Sequence, residues 1–147
     1  MQKFSRWRFS PAVCVWAVCV MAGAAAARAA DERATEFSPA EAGPSGWLRH
    51  AIDSPRQSAA TELFVLLPKE REKGRRLPVV FVLPVEPERQ TRWGDALAEV
   101  ARNDLADKHQ AIFVYPTFAA LPWYADHPRD AALRQESYLL KDVLPFV

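Results

Sequence analysis

The hydrophobic positions of this chain follow two patterns, unbroken short runs and helical spacing, and both occur within residues 77–116. Apolar residues run without a break over 78–83 and over 111–115, as in strands that are covered on both faces. Between these runs, Leu97, Val100 and Leu105 recur at helical spacing opposite polar residues, which predicts an amphipathic helix over 94–108. The pattern therefore predicts an α/β fold with two parallel strands joined by a helix in one right-handed βαβ unit.

The flanking segments extend this prediction. An apolar run over 63–67 is followed by a charged stretch around Gly74, which predicts an antiparallel edge hairpin in which 61–67 pairs with 78–83. Helical spacing returns over 131–147 and predicts a final helix. Residues 31–60 hold three prolines and two glycines without a sustained period, and we interpret them as a flexible lead-in.

The first thirty residues have the pattern of an export signal. Basic residues at Lys3, Arg6 and Arg8 precede an apolar stretch over 11–27, and Ala27-Arg28-Ala29 offers a small-x-small cleavage site. We predict a signal peptide over 1–30 and a secreted or periplasmic location. The alternative is an uncleaved anchor, which would make the protein a membrane-tethered interaction protein.

Removal of this segment changes the chemistry of the remaining chain. Both cysteines, Cys14 and Cys19, lie within it, so the exported chain would have no thiol, disulfide or cysteine-ligated metal. It also holds four basic residues and no acidic one, so cleavage would change the formal charge from +1 to −3. A nucleic-acid partner, or a membrane partner after cleavage, is therefore not expected.

Ligands of a parallel sheet bind beyond the carboxyl ends of its strands, so we expect the site within 84–93 and 116–134. Serine nucleophiles of α/β enzymes normally lie in G-x-S-x-G, and the sequence has no such motif. The stretch Gly43-Pro44-Ser45-Gly46 is close to it but precedes every predicted strand. No nucleophile is predicted.

Three polar residues within or just after the segment 116–134 are candidates for a functional role. Asp126 is expected to stabilise its loop, whereas His127 is a candidate acid, base or metal ligand. No other residue stands at ligand spacing from His127, so neither a metal site nor a cofactor is predicted. Glu136 either bonds back to the loop over 123–126 or complements the dipole of the final helix, and both alternatives remain open.

The order and spacing of the blocks over 61–147 resemble the N-terminal half of a group of esterases with the α/β-hydrolase fold, which includes esterase D, feruloyl esterases and the mycolyltransferases. The resemblance is carried by five blocks, namely 77–83, Trp93-Gly94, 112–116, Pro122-Trp123-Tyr124-Ala125-Asp126 and 135–147. It implies a partial α/β-hydrolase sheet that is truncated before the strand and turn bearing the nucleophile.

The resemblance also implies roles for individual residues. In that family, the loop after the strand that corresponds to 77–83 begins with His-Gly or Asp-Gly. A backbone N–H of this loop forms part of the oxyanion hole. Here Pro84 and Val85 take those positions, and since proline has no N–H, the amide of Glu86 becomes the candidate donor. The substrate-cleft candidates are Trp123, Tyr124 and Asp126, which match an aromatic-Tyr-x-Asp loop, and Glu136, which matches an acid on the next helix.

Two functions follow as expectations. A full-length relative would hydrolyse or transfer carboxylic esters, of small molecules or carbohydrate-linked groups, through a serine. This chain would be inactive until a C-terminal complementing segment supplied the catalytic residues. The alternative is a secreted, non-catalytic binding module that uses the aromatic loop over 115–128 to hold a sugar or an aromatic group.

Overall fold

The computed structural model describes residues 33–72 and 74–147, so the predicted signal peptide lies outside the described residues. Six strands form one mixed sheet in the order β1-β3-β4-β6-β5, with β2 also paired to β3. They are β1 (Glu36–Phe37), β2 (Glu41–Ala42), β3 (Leu48–Asp53), β4 (Thr61–Leu66), β5 (Val79–Phe81) and β6 (Ile112–Pro116). Within the described part of the chain, no helix is long and apolar enough to cross a membrane.

The parallel unit predicted from 77–116 is present. Strands β5 and β6 pair in parallel from Val79↔Ile112 to Phe81↔Val114. The connection between them holds two helices, α1 (Ala96–Arg102) and α2 (Leu105–His109), where the sequence predicted one. The break falls at Asp104, whose φ of 50° lies in the left-handed region that a helix does not continue through. A mixed sheet of six strands with short helices is compatible with the predicted α/β class.

The predicted edge hairpin is wrong. Strand β4 lies inside the sheet, antiparallel to β3 on one side and to β6 on the other, and does not pair with β5. Within β4, the adjacent residues Leu63 and Phe64 point to opposite faces of the sheet, and both are fully buried. A strand that is covered on both faces is more stable between two partners than at an edge, and the charged stretch after it is a longer connection rather than a hairpin turn.

Residues 31–60, interpreted from the sequence as a flexible lead-in, contain regular structure that the sequence pattern did not predict. Strands β1, β2 and β3 all lie within this segment, and β3 pairs with β4 from Leu48↔Val65 to Ile52↔Thr61. Trp47, just before β3, is buried, and its indole Nε1–H donates to the backbone oxygen of Leu97 at 3.1 Å. The prolines that obscured the pattern stand between these short strands and not within them.

Helices cover both faces of the sheet. On one face α1 and α2 pack over a cluster that includes Trp47, Phe64 and Phe113. On the other, the C-terminal helix packs over a cluster that includes Ile52, Val114 and Tyr138. This C-terminal helix comprises α3 (Gln135–Ser137), a π-helical segment (Tyr138–Val143) and α4 (Leu144–Phe146), and so it begins four residues later than 131.

Candidate functional site

The two loops in which the sequence analysis placed the site contact each other beyond the carboxyl ends of β5 and β6. The backbone N–H of Glu88, in the β5 loop (82–95), donates to the oxygen of Phe118 at 2.7 Å. The hydroxyl of Tyr124, in the β6 loop (117–134), donates to the backbone oxygen of Pro84. The loops therefore form one continuous surface at the end of the sheet where ligands of parallel strands bind.

Both loops contain a residue in an uncommon backbone conformation. Glu88 has φ of 57° and Tyr124 has φ of 56°, values in the left-handed region that non-glycine residues rarely adopt. Tyr124 is held there by its hydroxyl bond and by the ring of Phe118, which meets it edge-on at 5.6 Å. Partial burial, with a smaller effect of Tyr115, raises the pKa of Tyr124, which keeps the hydroxyl a neutral donor. Such strained positions concentrate at functional sites.

A charged cleft of about 460 Å³ lies beside this junction. The β5 loop contributes Glu88 and Arg89, and the β6 loop contributes Thr117. Arg49 lines the opposite side, and its guanidinium is already paired with Glu62 at 2.6 Å. Among the described residues that line the cleft there is no serine, cysteine or histidine, so the cleft offers polar contacts without a serine or cysteine nucleophile.

Glu86, the candidate oxyanion-hole donor, lies in the β5 loop and is buried. Its carboxylate forms an ion pair with the Nε of Arg92 at 3.1 Å. Burial raises the pKa of the nearby Tyr115 hydroxyl, and the negative charges of Asp95 and Glu86 raise it further against the opposing effect of Arg89. A carboxylate beside the proposed amide disfavours an oxyanion unless Arg92 continues to neutralise it.

The β6 loop is fixed by a residue that the sequence analysis did not select. The buried Gln135 accepts hydrogen bonds through Oε1 from the backbone N–H of Trp123 at 2.7 Å and of Tyr124 at 3.2 Å. Its Nε2 donates to the oxygen of Leu121 at 3.1 Å. Glu136 is exposed in the first turn of the C-terminal helix, where its charge complements the dipole. The bond back to the loop that was one reading of Glu136 is therefore made by its neighbour.

Asp126 has the loop-stabilising role that the sequence predicted. Its Oδ1 accepts the backbone N–H of Ser137 at 2.9 Å, and its Oδ2 accepts the Ser137 hydroxyl at 2.6 Å. Partial burial acts to raise the pKa of Asp126, but the two bonds from Ser137, helped by Arg134 and Lys141, lower it overall. Asp126 thus joins the β6 loop to the start of the C-terminal helix as an ionised acceptor.

His127 is used by its own turn. Its Nδ1 accepts the backbone N–H of Asp130 at 2.9 Å and of Arg129 at 3.3 Å. This arrangement favours a turn-stabilising role over that of a metal ligand or general base at Nδ1. No group of three or more histidine, cysteine, aspartate or glutamate side chains within 33–72 and 74–147 is placed to hold a metal ion.

The outer side of the β6 loop forms an apolar groove of about 370 Å³, which we call the Trp123 groove. Trp123 is 77% exposed and lines it. The other described residues that line the groove are Ala120, Leu121, Ala125, Asp126, His127, Pro128, Leu133 and Gln135. Trp93 of the β5 loop is similarly exposed, at 73%, but lies against the guanidinium of Arg92 at 5.0 Å from its ring centre.

The sequence matches no family model, and no curated protein matches it either. The geometry therefore carries the functional argument. It places Trp123, Tyr124 and Asp126 on one fixed loop and joins that loop to the one bearing Glu86, while Glu136 faces solvent.

Proposed function

We propose that this chain is the front part of an exported esterase-like α/β hydrolase, in which it supplies the first strands of the sheet and one wall of the substrate cleft. The nucleophile and its base come from a complementing segment that adds to the sheet beyond β5. The observation that carries the proposal is that edge, because a parallel apolar strand is normally buried between neighbours.

The outer side of β5 has backbone groups that could pair with a further strand. Pro78 accepts a bond from Ile112 at 2.9 Å and Val82 donates to Val114 at 2.8 Å, so the even-numbered residues face β6. Backbone groups of a parallel strand alternate in direction, so Val79 and Phe81 turn their N–H and C=O outward. The edge strand of a sheet usually carries charges, prolines or a bulge that prevent further pairing. Residues 79–83 contain neither a charged residue nor a proline.

The side chains at this edge support the same proposal. A recess of about 260 Å³ lies between β5 and the C-terminal helix, lined by Phe81, Leu83, Leu139, Leu140 and Leu144. Leu83 is 44% exposed and Leu140 is 55% exposed. A complementing strand that pairs with β5 would place apolar side chains in this recess and cover both leucines.

Reconstitution tests the proposal. The DNA that follows the codon for Val147 is sequenced, and any segment that encodes a strand followed by G-x-S-x-G, in any frame, is co-expressed with this chain. We expect turnover of a short-chain p-nitrophenyl ester only when both polypeptides are present. Substitution of Val79→Lys in this chain should abolish it, because a buried lysine at the new strand interface has no partner.

Two outcomes would contradict the proposal. The first is ester turnover by the chain alone. The second is the absence of any such segment from the neighbouring DNA, which would leave the open edge without its proposed occupant.

A second candidate function is a binding module that acts through the Trp123 groove. The observation that favours it is the rigid attachment of the loop by Gln135, since exposed aromatic side chains on a fixed backbone bind ligands with little loss of conformational entropy. This function requires no nucleophile and is independent of the β5 edge.

A further inference from the structure

The backbone beneath the Trp123 groove is fixed at several points before any ligand binds. Gln135 bonds Leu121, Trp123 and Tyr124 through one buried amide group. Farther along, the N–H of His127 donates to the oxygen of Leu133 at 3.0 Å, which closes the other end of the loop. Trp123 is therefore presented to solvent by a rigid support and not by a free loop.

Two of the polar side chains that line the groove, Asp126 and Gln135, already make hydrogen bonds within the protein. Both oxygens of Asp126 accept bonds from Ser137, and the amide of Gln135 is used on both its atoms. The other side-chain polar groups of the lining are the Nε2 of His127 and the indole Nε1–H of Trp123. A neutral imidazole that accepts through Nδ1 carries its hydrogen on Nε2, so this atom is a donor.

We infer that the Trp123 groove binds a planar aromatic group with one hydrogen-bond acceptor, which stacks on Trp123 while its acceptor receives the Nε2–H of His127. The inference rests on the second proposed function and specifies its ligand class. Mostly apolar walls with two donors, the Nε2–H of His127 and the indole N–H of Trp123, suit such a ring, whereas the several hydroxyls of a sugar would lose their water without finding enough partners.

The size of the groove fits one substituted ring. Its volume of about 370 Å³ lies at the lower end of the range for small-molecule pockets. For a ligand of this size on an open surface, we expect a dissociation constant on the order of 1 mM.

The probe is methyl 4-hydroxybenzoate, a flat aryl ester with a carbonyl acceptor. The full chain, labelled with ¹⁵N, is titrated while the indole N–H signals are followed by NMR, and the signal of Trp123 is identified from the Trp123→Phe variant. We expect a saturable shift of this signal and no comparable shift of Trp93, which is the matched exposed indole. Methyl cyclohexanecarboxylate, without an aromatic ring, should bind at least several-fold more weakly.

Two substitutions separate stacking from the hydrogen bond. Trp123→Ala should abolish saturable binding, while Trp93→Ala should leave it unchanged. His127→Asn keeps an oxygen where Nδ1 accepts the turn N–H groups but removes the Nε2–H, and should weaken binding roughly fivefold, as expected for one neutral hydrogen bond.

Three results would overturn the inference: no saturable shift of Trp123 at millimolar probe, equal shifts of Trp93 and Trp123, or preferential binding of methyl glucoside. The last would keep the binding-module function and reject only the aromatic ligand. If methyl 4-hydroxybenzoate, methyl cyclohexanecarboxylate and methyl glucoside all fail to bind, the binding-module function is rejected as well. This result would not bear on the proposed hydrolase.

Discussion

The two edges of the sheet differ in every property that decides whether another strand can add. At the β1 and β2 edge, the strands are two residues long and charged, and ion pairs join Arg49 to Glu41 at 2.9 Å and Arg33 to Asp53 at 2.7 Å. At the β5 edge, apolar Val79, Val80 and Leu83 are all partly exposed. One edge therefore has the features that end a sheet, and the other has those of an interior strand.

The largest effect is expected from placing a charge on the open edge. An open apolar edge strand is expected to make the purified chain associate as its concentration rises. Val79→Lys should abolish this association, because lysine on an edge strand opposes pairing with a further strand. Static light scattering over a range of protein concentrations measures the change. The variant should keep its far-ultraviolet circular dichroism, since Val79 is partly exposed.

The matched control is Ala42→Lys, which adds the same charge to exposed β2 on the closed edge. We expect its association to equal that of the unsubstituted chain. Equal loss of association in both variants would show that net charge, and not the open edge, governs the behaviour.

The sequence identified the parallel pair of β5 and β6 but neither edge of the sheet, for a physical reason. The runs at 78–83 and 111–115 are local signals, and their parallel pairing follows from the helical segment between them. The partners of β4 depend on contacts far apart in sequence. In β3 the adjacent polar residues Arg49 and His50 interrupt the apolar alternation, and the surrounding segment is rich in proline. Propensity alone therefore favoured a hairpin with the nearest strand and gave no signal for β3.

The candidate site was predictable to a similar extent. The two loops and the stabilising role of Asp126 follow from the position of 84–93 and 116–134 after parallel strands. The choice between Glu136 and Gln135 depends on which side chain faces the loop, a difference of one position on the helix. A helix that begins at Gln135 turns that residue inward, and the predicted start at 131 left this orientation undetermined.

The next largest effect is a loss of stability, expected where the C-terminal helix is bonded to the segment after β3. The C-terminal helix lines the recess at β5, and its Asp142 accepts bonds from Ser54 and Arg56 at 2.7 Å each, in the segment that follows β3. Asp142→Ala should lower the free energy of unfolding by about 3 kcal/mol, because it removes one partner of a buried ion pair. Urea denaturation measures the loss.

Asp53→Ala removes the exposed ion pair with Arg33 and serves as the control. We expect a change within about 1 kcal/mol, since exposed ion pairs contribute little. If both substitutions cost the same, the buried network does not anchor the helix that lines the open edge.

A smaller effect is expected where the C-terminal helix begins. Gln135→Ala leaves the N–H groups of Trp123 and Tyr124 without their partner and should cost roughly 1–3 kcal/mol. Hydrogen exchange should show faster exchange at these two amides and no change in β3. The neighbouring Glu136→Ala is the control and should stay within about 0.5 kcal/mol, as expected for an exposed position. A larger effect for Glu136 would restore the role first considered for it.

The smallest effect lies between the two edges, where Tyr138 meets β4. Its hydroxyl and that of Thr61 are 2.9 Å apart, and burial is the main cause that raises the pKa of Tyr138 above its ordinary value of 10.0. Tyr138→Phe should cost about 1 kcal/mol at pH 7, the usual contribution of one buried hydrogen bond.

The stability difference between the unsubstituted chain and Tyr138→Phe should depend on pH. A raised pKa in the folded state means that the unfolded chain releases the Tyr138 proton first, so the stabilisation is complete below pH 10 and falls as the pH rises further. Above pH 10 the unsubstituted chain should lose up to about 1.4 kcal/mol per pH unit relative to Tyr138→Phe, while Tyr115 and Tyr124 contribute equally to both. Near pH 11 the phenylalanine variant should therefore become at least as stable, as measured by urea unfolding at both pH values. If the difference stays constant from pH 7 to 11, the hydroxyl ionises equally well in the folded state, and Tyr138 is not part of the sealed core between the edges.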